Sequence, residues 1–106
     1  MKGMRFRTGE RFTVYDDGTA QTASVSMSST TRDIQIDSIT AWAVNSNAVI
    51  TVQASGTTIW TQRTGSACVP VQFDNLALED GTAGSLSANV AGSTSSVITV
   101  GGTYRL

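Results

Sequence analysis

Residues 33–60, DIQIDSITAWAVNSNAVITVQASGTTIW, decide the fold class. β-Branched and aromatic residues fall there in short alternating runs, separated by Asn45-Ser46-Asn47 and Ser55-Gly56, as strands broken by turns do. Ile34, Ile36, Thr40, Trp42 and Val44 share one parity, and Ile39, Ala41 and Ala43 the other. A strand apolar on both sides is a central one. Asn45-Ser46-Asn47 tolerates left-handed geometry, so residues 40–44 and 48–54 are predicted to pair as an antiparallel hairpin, with Ile50 and Val52 facing the core beside Trp42. Ser55-Gly56 is the next turn and residues 57–62 the next strand.

The same pattern runs outward in both directions. Towards the N-terminus, residues 5–8 and 11–15 flank Gly9-Glu10, which reads as a tight hairpin, and Asp16-Asp17-Gly18 reads as a turn. Ala23, Val25 and Met27 then alternate with Ser24 and Ser26, and residues 28–33 read as a loop. Towards the C-terminus, Val69, Val71 and Phe73 alternate around Pro70, which places that strand at a sheet edge or Pro70 at its start. Asp74-Asn75 turns the chain before Leu76 and Leu78. Residues 79–84 are the longest turn-rich stretch. Leu86, Ala88 and Val90 form one face of the penultimate strand, residues 91–94 turn back, and residues 96–100 with Tyr104 close the fold. The expectation is an all-β, single-domain β-sandwich or jelly roll of about eight short antiparallel strands, with a closed barrel as the alternative. Residues 12–106 form the sandwich and residues 1–11 a basic N-terminal arm or hairpin. Ile36, Trp42, Ile50, Val52, Val71, Phe73, Leu86 and Ile98 are expected to be largely buried.

Length and charge narrow the function. A chain of 106 residues holds one modest core and no second domain. Only 14% of residues are charged, roughly a quarter are serine or threonine, and Lys2 is the sole lysine, a composition that expects neighbours over much of the surface. Lys2, Arg5, Arg7 and Arg11 against Glu10 make residues 1–11 +3; the net charge of -1 therefore leaves -4 for the remainder. No basic stripe continues through the fold, so nucleic acid is not the expected partner. The arm, with Met1, Met4 and Phe6 among its charges, is expected to contact another polypeptide or a second copy of this chain. No apolar stretch approaches the roughly 18 residues of a membrane span, and the opening MKGMRFRTGE does not read as a secretory segment. Synthesis in a cytoplasm is the expectation.

Catalytic equipment is sparse. The chain has no histidine, which removes most triads, most zinc sites and the usual general base. Cys68 is the only cysteine and, between Ala67 and Val69, reads as a small buried hydrophobe. Asp16/Asp17, Asp33/Asp37 and Glu79/Asp80 have the chemistry of an acid–base pair, but each reads as a turn or a strand end, where aspartate caps backbone amides. Asp74, Asn75, Glu79 and Asp80 lack the regular alternation of a calcium loop. No enzyme activity, cofactor or metal is expected. Trp42 and Trp60, with Tyr15 and Tyr104, have the residue types of a sugar-stacking platform, yet Trp42 sits in the most apolar strand. Trp60 is the better surface aromatic. The candidate partner-binding residues are Lys2, Met4, Arg5, Phe6, Arg7, Arg11 and Trp60.

From about Ile36 to Tyr104 the order of segments resembles the small β-rich virion proteins of tailed bacteriophages. The features that carry it are ITAWAVNSNAVITVQASGTTIW, a VPVQF strand before the Leu76–Leu78 step, an EDGTAG loop, and LSANVAGSTSSVITV read as a terminal hairpin. The match is one of pattern, covers about two-thirds of the chain, and transfers no functional residue. It implies a capsid decoration or cement protein that binds a major capsid protein or other virion protein and assembles as a homo-oligomer, a trimer being one closure. A head-fibre base, a head–tail joining protein, a tail component, and a carbohydrate- or receptor-binding module are the competing readings.

Overall fold

The computed structural model describes residues 9–19, 23–28, 33–80 and 85–105. These form nine strands: β1 (Gly9–Thr19), β2 (Ala23–Ser28), β3 (Asp33–Ala43), β4 (Val49–Ala54), β5 (Thr57–Arg63), β6 (Val71–Phe73), β7 (Leu78–Asp80), β8 (Ser85–Ala91) and β9 (Ser95–Arg105). Sheet A runs β1-β9-β3-β6, with β7 also paired to β3, and sheet B runs β2-β8-β4-β5. All pairs are antiparallel, and their nesting states the topology. β1 pairs with β9, β2 with β8, β3 with both β6 and β7, and β4 with β5. The chain is thus one long hairpin doubled back at the β4–β5 turn. Wrapping that hairpin lays β9 beside β3 and β8 beside β4. The result is a jelly roll in which β6 and β7 occupy one strand position between them. Because β1, β2, β5 and β6 remain edges, the barrel alternative is excluded.

The nesting corrects four local expectations. Residues 40–43 and 49–54 do not pair, because β3 and β4 lie in different sheets and the Asn45-Ser46-Asn47 link, with Asn47 at φ 55°, crosses between them. The LSANVAGSTSSVITV hairpin fails in the same way, since β8 and β9 also belong to different sheets. Gly9-Glu10 and Asp16-Asp17-Gly18 are not turns: both lie inside β1, in continuous register with the eleven residues of β9. An eleven-rung ladder outweighs the local turn preference of those residues. The Asp16 carboxylate accepts the Ser24 N–H (2.8 Å) and so ties β1 to β2.

A β-bulge explains why the central strand reads as apolar on both sides. Ile36 pairs with Gly102 and Ser38 with Gly101, so Asp37 is the extra residue and inward-facing parity changes there. Ile34 and Ile36 before it, and Ile39, Ala41 and Ala43 after it, all point into the core. Trp42 therefore does not; it is half-buried on the outer face. Three hydrogen bonds hold the bulge. Gln35 Nε2 donates to Asp37 Oδ1 (2.6 Å), Thr103 Oγ1 to Asp37 Oδ2 (2.8 Å) and the Leu76 N–H to the Asp37 carbonyl (2.9 Å). Asp37, expected at a strand end, is a mid-strand fixture.

Between the sheets lie Ala23, Val25 and Met27 of β2, the five β3 residues, Ile50 and Val52 of β4, Leu86, Ala88 and Val90 of β8, and Ile98 and Val100 of β9. Val71 and Phe73 are only half-buried, because β6 is a short edge strand. Pro70 precedes β6, as its missing N–H requires. Among the described residues, two polar side chains are fully enclosed and each accepts a hydrogen bond. Ser96 Oγ accepts the Ala23 N–H (3.2 Å), linking the sheets, and Thr64 Oγ1 accepts the Ala48 N–H (3.1 Å). Ser55 and Gly56 have φ of 49° and 85°, the left-handed pair of a type I′ hairpin turn.

Candidate binding face

The residues expected to bind a partner are not brought together. Lys2, Met4, Arg5, Phe6 and Arg7 lie outside the described residues. Gly9 to Arg11 belong to β1, with Arg11 exposed opposite Thr103. Trp60 is on β5 at the far edge of the other sheet. Its ring meets Phe73 edge-on at 5.3 Å (interplanar angle 79°), so it helps close the open side of the sandwich and is only half-buried. Cys68, expected to be buried, is exposed. Its N–H donates to the Ala43 carbonyl (2.9 Å) at the end of β3, and its φ is +61°. A side chain in that region is strained where glycine is not. Cys68→Gly should therefore leave stability unchanged or raise it by up to about 1 kcal/mol. A fall of several degrees in Tm would assign the side chain a structural role.

The outer face of sheet A can be read row by row from its registers. One row is Tyr15, Thr99, Thr40 and Gln72; the next is Asp17, Val97 and Trp42. Beyond it, the Val44 N–H donates to the Ser95 carbonyl (3.0 Å), which brings Val44 up to the end of the same face. Tyr15 is 61%, Val44 36% and Val69 50% exposed. Val69 follows Cys68 in the segment that reaches β6, alongside the end of β3. Tyr15, Val97, Trp42 and Val44 thus share one end of the face, carried mainly by paired strands. Asparagine fixes the adjoining loops. Asn45 Oδ1 accepts from Ser93 Oγ (3.1 Å) and the Thr94 N–H (3.0 Å), joining the β3–β4 and β8–β9 links.

The outer face of sheet B differs in kind. Its rows are Ser24, Asn89, Thr51 and Thr61, then Ser26, Ser87, Gln53 and Thr58. β2, β4, β5 and β8 contain one charged residue, Arg63. All eight carboxylates fall elsewhere: seven on β1, β3 and β7, and Asp74 in the β6–β7 link. Among the described residues, no group of three or more acidic, cysteine or histidine side chains is placed to hold a metal ion. No helix there is long and apolar enough to cross a membrane.

Sequence reasoning missed this face because it assigned Trp42 to the core. The available signals were Asp37 inside an apolar strand and the Gly101-Gly102 pair in the strand that lies against it. Ser38 Oγ would stand 2.9 Å from a Cβ at Gly101, so the bulge and the glycines belong together.

No protein-family model and no curated protein matches the chain. Solved structures do. A GH26-CBM35 β-(1,4)-mannanase from Podospora anserina matches at TM-score 0.56 and 11% identity, over 84% of this chain and 20% of that one. Dimeric latent PorU from Porphyromonas gingivalis matches at TM-score 0.52 and 11% identity, over 92% of this chain and 13% of that one. The CBM36-1 domain of a multidomain xylanase from the hindgut metagenome of Trinervitermes trinervoides reaches TM-score 0.49 at 14% identity, over 84% of this chain and 74% of that one. At such identities the first two likenesses are of fold alone. The chain spans no more than a fifth of either protein.

Proposed function

We propose that this chain is a non-enzymatic structural protein of a virion, of the decoration or cement type, which docks on a capsid protein through the outer face of sheet A. The observation that supports docking is the cluster of Tyr15, Trp42, Val44 and Val97. Interface cores are enriched in aromatic residues and depleted in charge, and an apolar cluster bounded by Asp17, Thr40 and Gln72 has that composition. Paired strands hold Tyr15, Trp42 and Val97, so little ordering entropy is lost there on binding. The virion assignment rests on the pattern of the β segments, and the basic arm offers the partner a second, salt-sensitive contact.

A second reading has its own observation. Tyr15 and Trp42 both belong to the outer face, two strands and one row apart, or about 10 Å across the sheet and ~7 Å along it. Two such rings among threonine and glutamine suit a carbohydrate-binding module. The two valines favour protein, because aliphatic side chains add nothing to ring stacking. One experiment separates the two: co-sedimentation of the full chain with phage shells lacking it and, in parallel, with insoluble polysaccharides. Retention on shells alone is the expected result. Retention on a polysaccharide alone would replace the structural assignment with the binding module.

A further inference from the structure

We propose that β5 is a self-association edge, and that two copies pair antiparallel through it, joining two four-stranded sheets into one of eight strands. Each of the four edges closes itself to a different degree. β1 carries Asp16 and Asp17, and the Asp16–Ser24 hydrogen bond ties it to β2. β6 and β7 have three residues each and follow Pro70 and Asp74-Asn75 respectively. β5 has seven residues, six of them exposed, with neither proline nor acid and with Arg63 only at its end. An edge of that length and composition is a template for another strand.

The register of the pairing follows from parity. Directly opposed residues share a face, so a two-fold axis normal to the sheet must pass between identical residues. A bulge at Ile59 interrupts the pairing with β4, and Trp60 to Arg63 then run in regular register with Val52 to Val49. The centre of the regular stretch and the exposed Ile59 is Thr61. Thr61 then faces Thr61 of the second copy, a favourable cross-strand pair, and Trp60 faces Gln62. Arg63 lies opposite Ile59, which is 41% exposed and can pack on the arginine stem. The two guanidinium groups end up at opposite ends of the seam. No like charges meet.

The test is sedimentation equilibrium of the full chain over a concentration series. Twice the monomer mass at high concentration is expected. Thr61→Lys places two ammonium groups across the axis and should weaken the dimer at least about fivefold at low salt, with recovery as salt rises. In a Cys68→Ser background, Thr61→Cys should oxidise to a covalent dimer much faster than Thr57→Cys, because only the central pair has Cα atoms within disulfide reach. Thr57 and Thr61 are both exposed, so folding is spared. A chain monomeric up to about 1 mM would overturn the proposal. So would a dimer indifferent to Thr61→Lys whose Thr61→Cys form cross-links no faster than the Thr57→Cys control.

Discussion

Gly102→Ala will destabilise the protein by about 3 kcal/mol or more and lower Tm by about 15 °C in thermal unfolding. A Cβ on Gly102 would press into the Gln35 carbonyl oxygen and lie 2.5 Å from Phe12 Cζ. The Gln35 oxygen belongs to the backbone and cannot swing aside. Gln35 is on β3 in register with Thr103, and Phe12 pairs with Gly102 and stacks on Tyr104 with ring centroids 4.8 Å apart. A methyl group at Gly102 therefore presses on both flanking strands, β1 and β3. Gly56→Ala is the informative contrast, since nothing lies within 4 Å of its Cβ position and only its φ of 85° opposes a side chain. A Tm for Gly102→Ala within about 2 °C of the parent would mean that β9 does not run as described.

Ile39→Ala will cost about 3 kcal/mol, and Thr40→Lys less than about 0.5 kcal/mol, in denaturant unfolding. Ile39 has no exposed surface and pairs with Val100 and Phe73, so truncation leaves a cavity walled by two strands. Thr40, one residue on, faces solvent. The pair of variants reads out the bulge itself. Without the extra residue at Asp37, Thr40 and Trp42 would follow Ile34 and Ile36 into the core, and a lysine at residue 40 would bury a charge. Reversal of the two costs would remove the bulge and return Trp42 to the interior.

Much of the fold was legible because burial imposes period two on any strand with one face on a core. Ala23-Val25-Met27 and Leu86-Ala88-Val90 declare their inner faces outright, and Ser55-Gly56 declares its turn. Partnership was less legible, since every local signal says only that a strand ends. Asn45-Ser46-Asn47 and Gly92-Ser93-Thr94 are spelled like hairpin turns, yet in a jelly roll they carry the chain from one sheet to the other. Asp16-Asp17-Gly18 is spelled like a turn and is held extended by β9, a partner about eighty residues away in the chain. The binding face was hidden by a single inserted residue. Asp37 reverses the parity of everything after it in β3, which moves Trp42 outward and Ile39 inward, and its hydrogen-bond partners Thr103 and Leu76 are distant in sequence. The exposure of Cys68 likewise depends on a segment anchored to Ala43, which no local pattern announces.

The most direct test of docking through sheet A is a binding comparison of two surface variants on shells that lack the protein. Tyr15→Ser with Val44→Ser removes apolar area from the outer face of sheet A, while Ser26→Lys with Thr51→Lys places charge on the outer face of sheet B. All four positions are at least partly exposed, so both variants should fold. The sheet A variant is expected to lose affinity by about tenfold or more, and the sheet B variant to bind as the parent does. Loss of binding by the sheet B variant, with the sheet A variant unaffected, would contradict docking through sheet A.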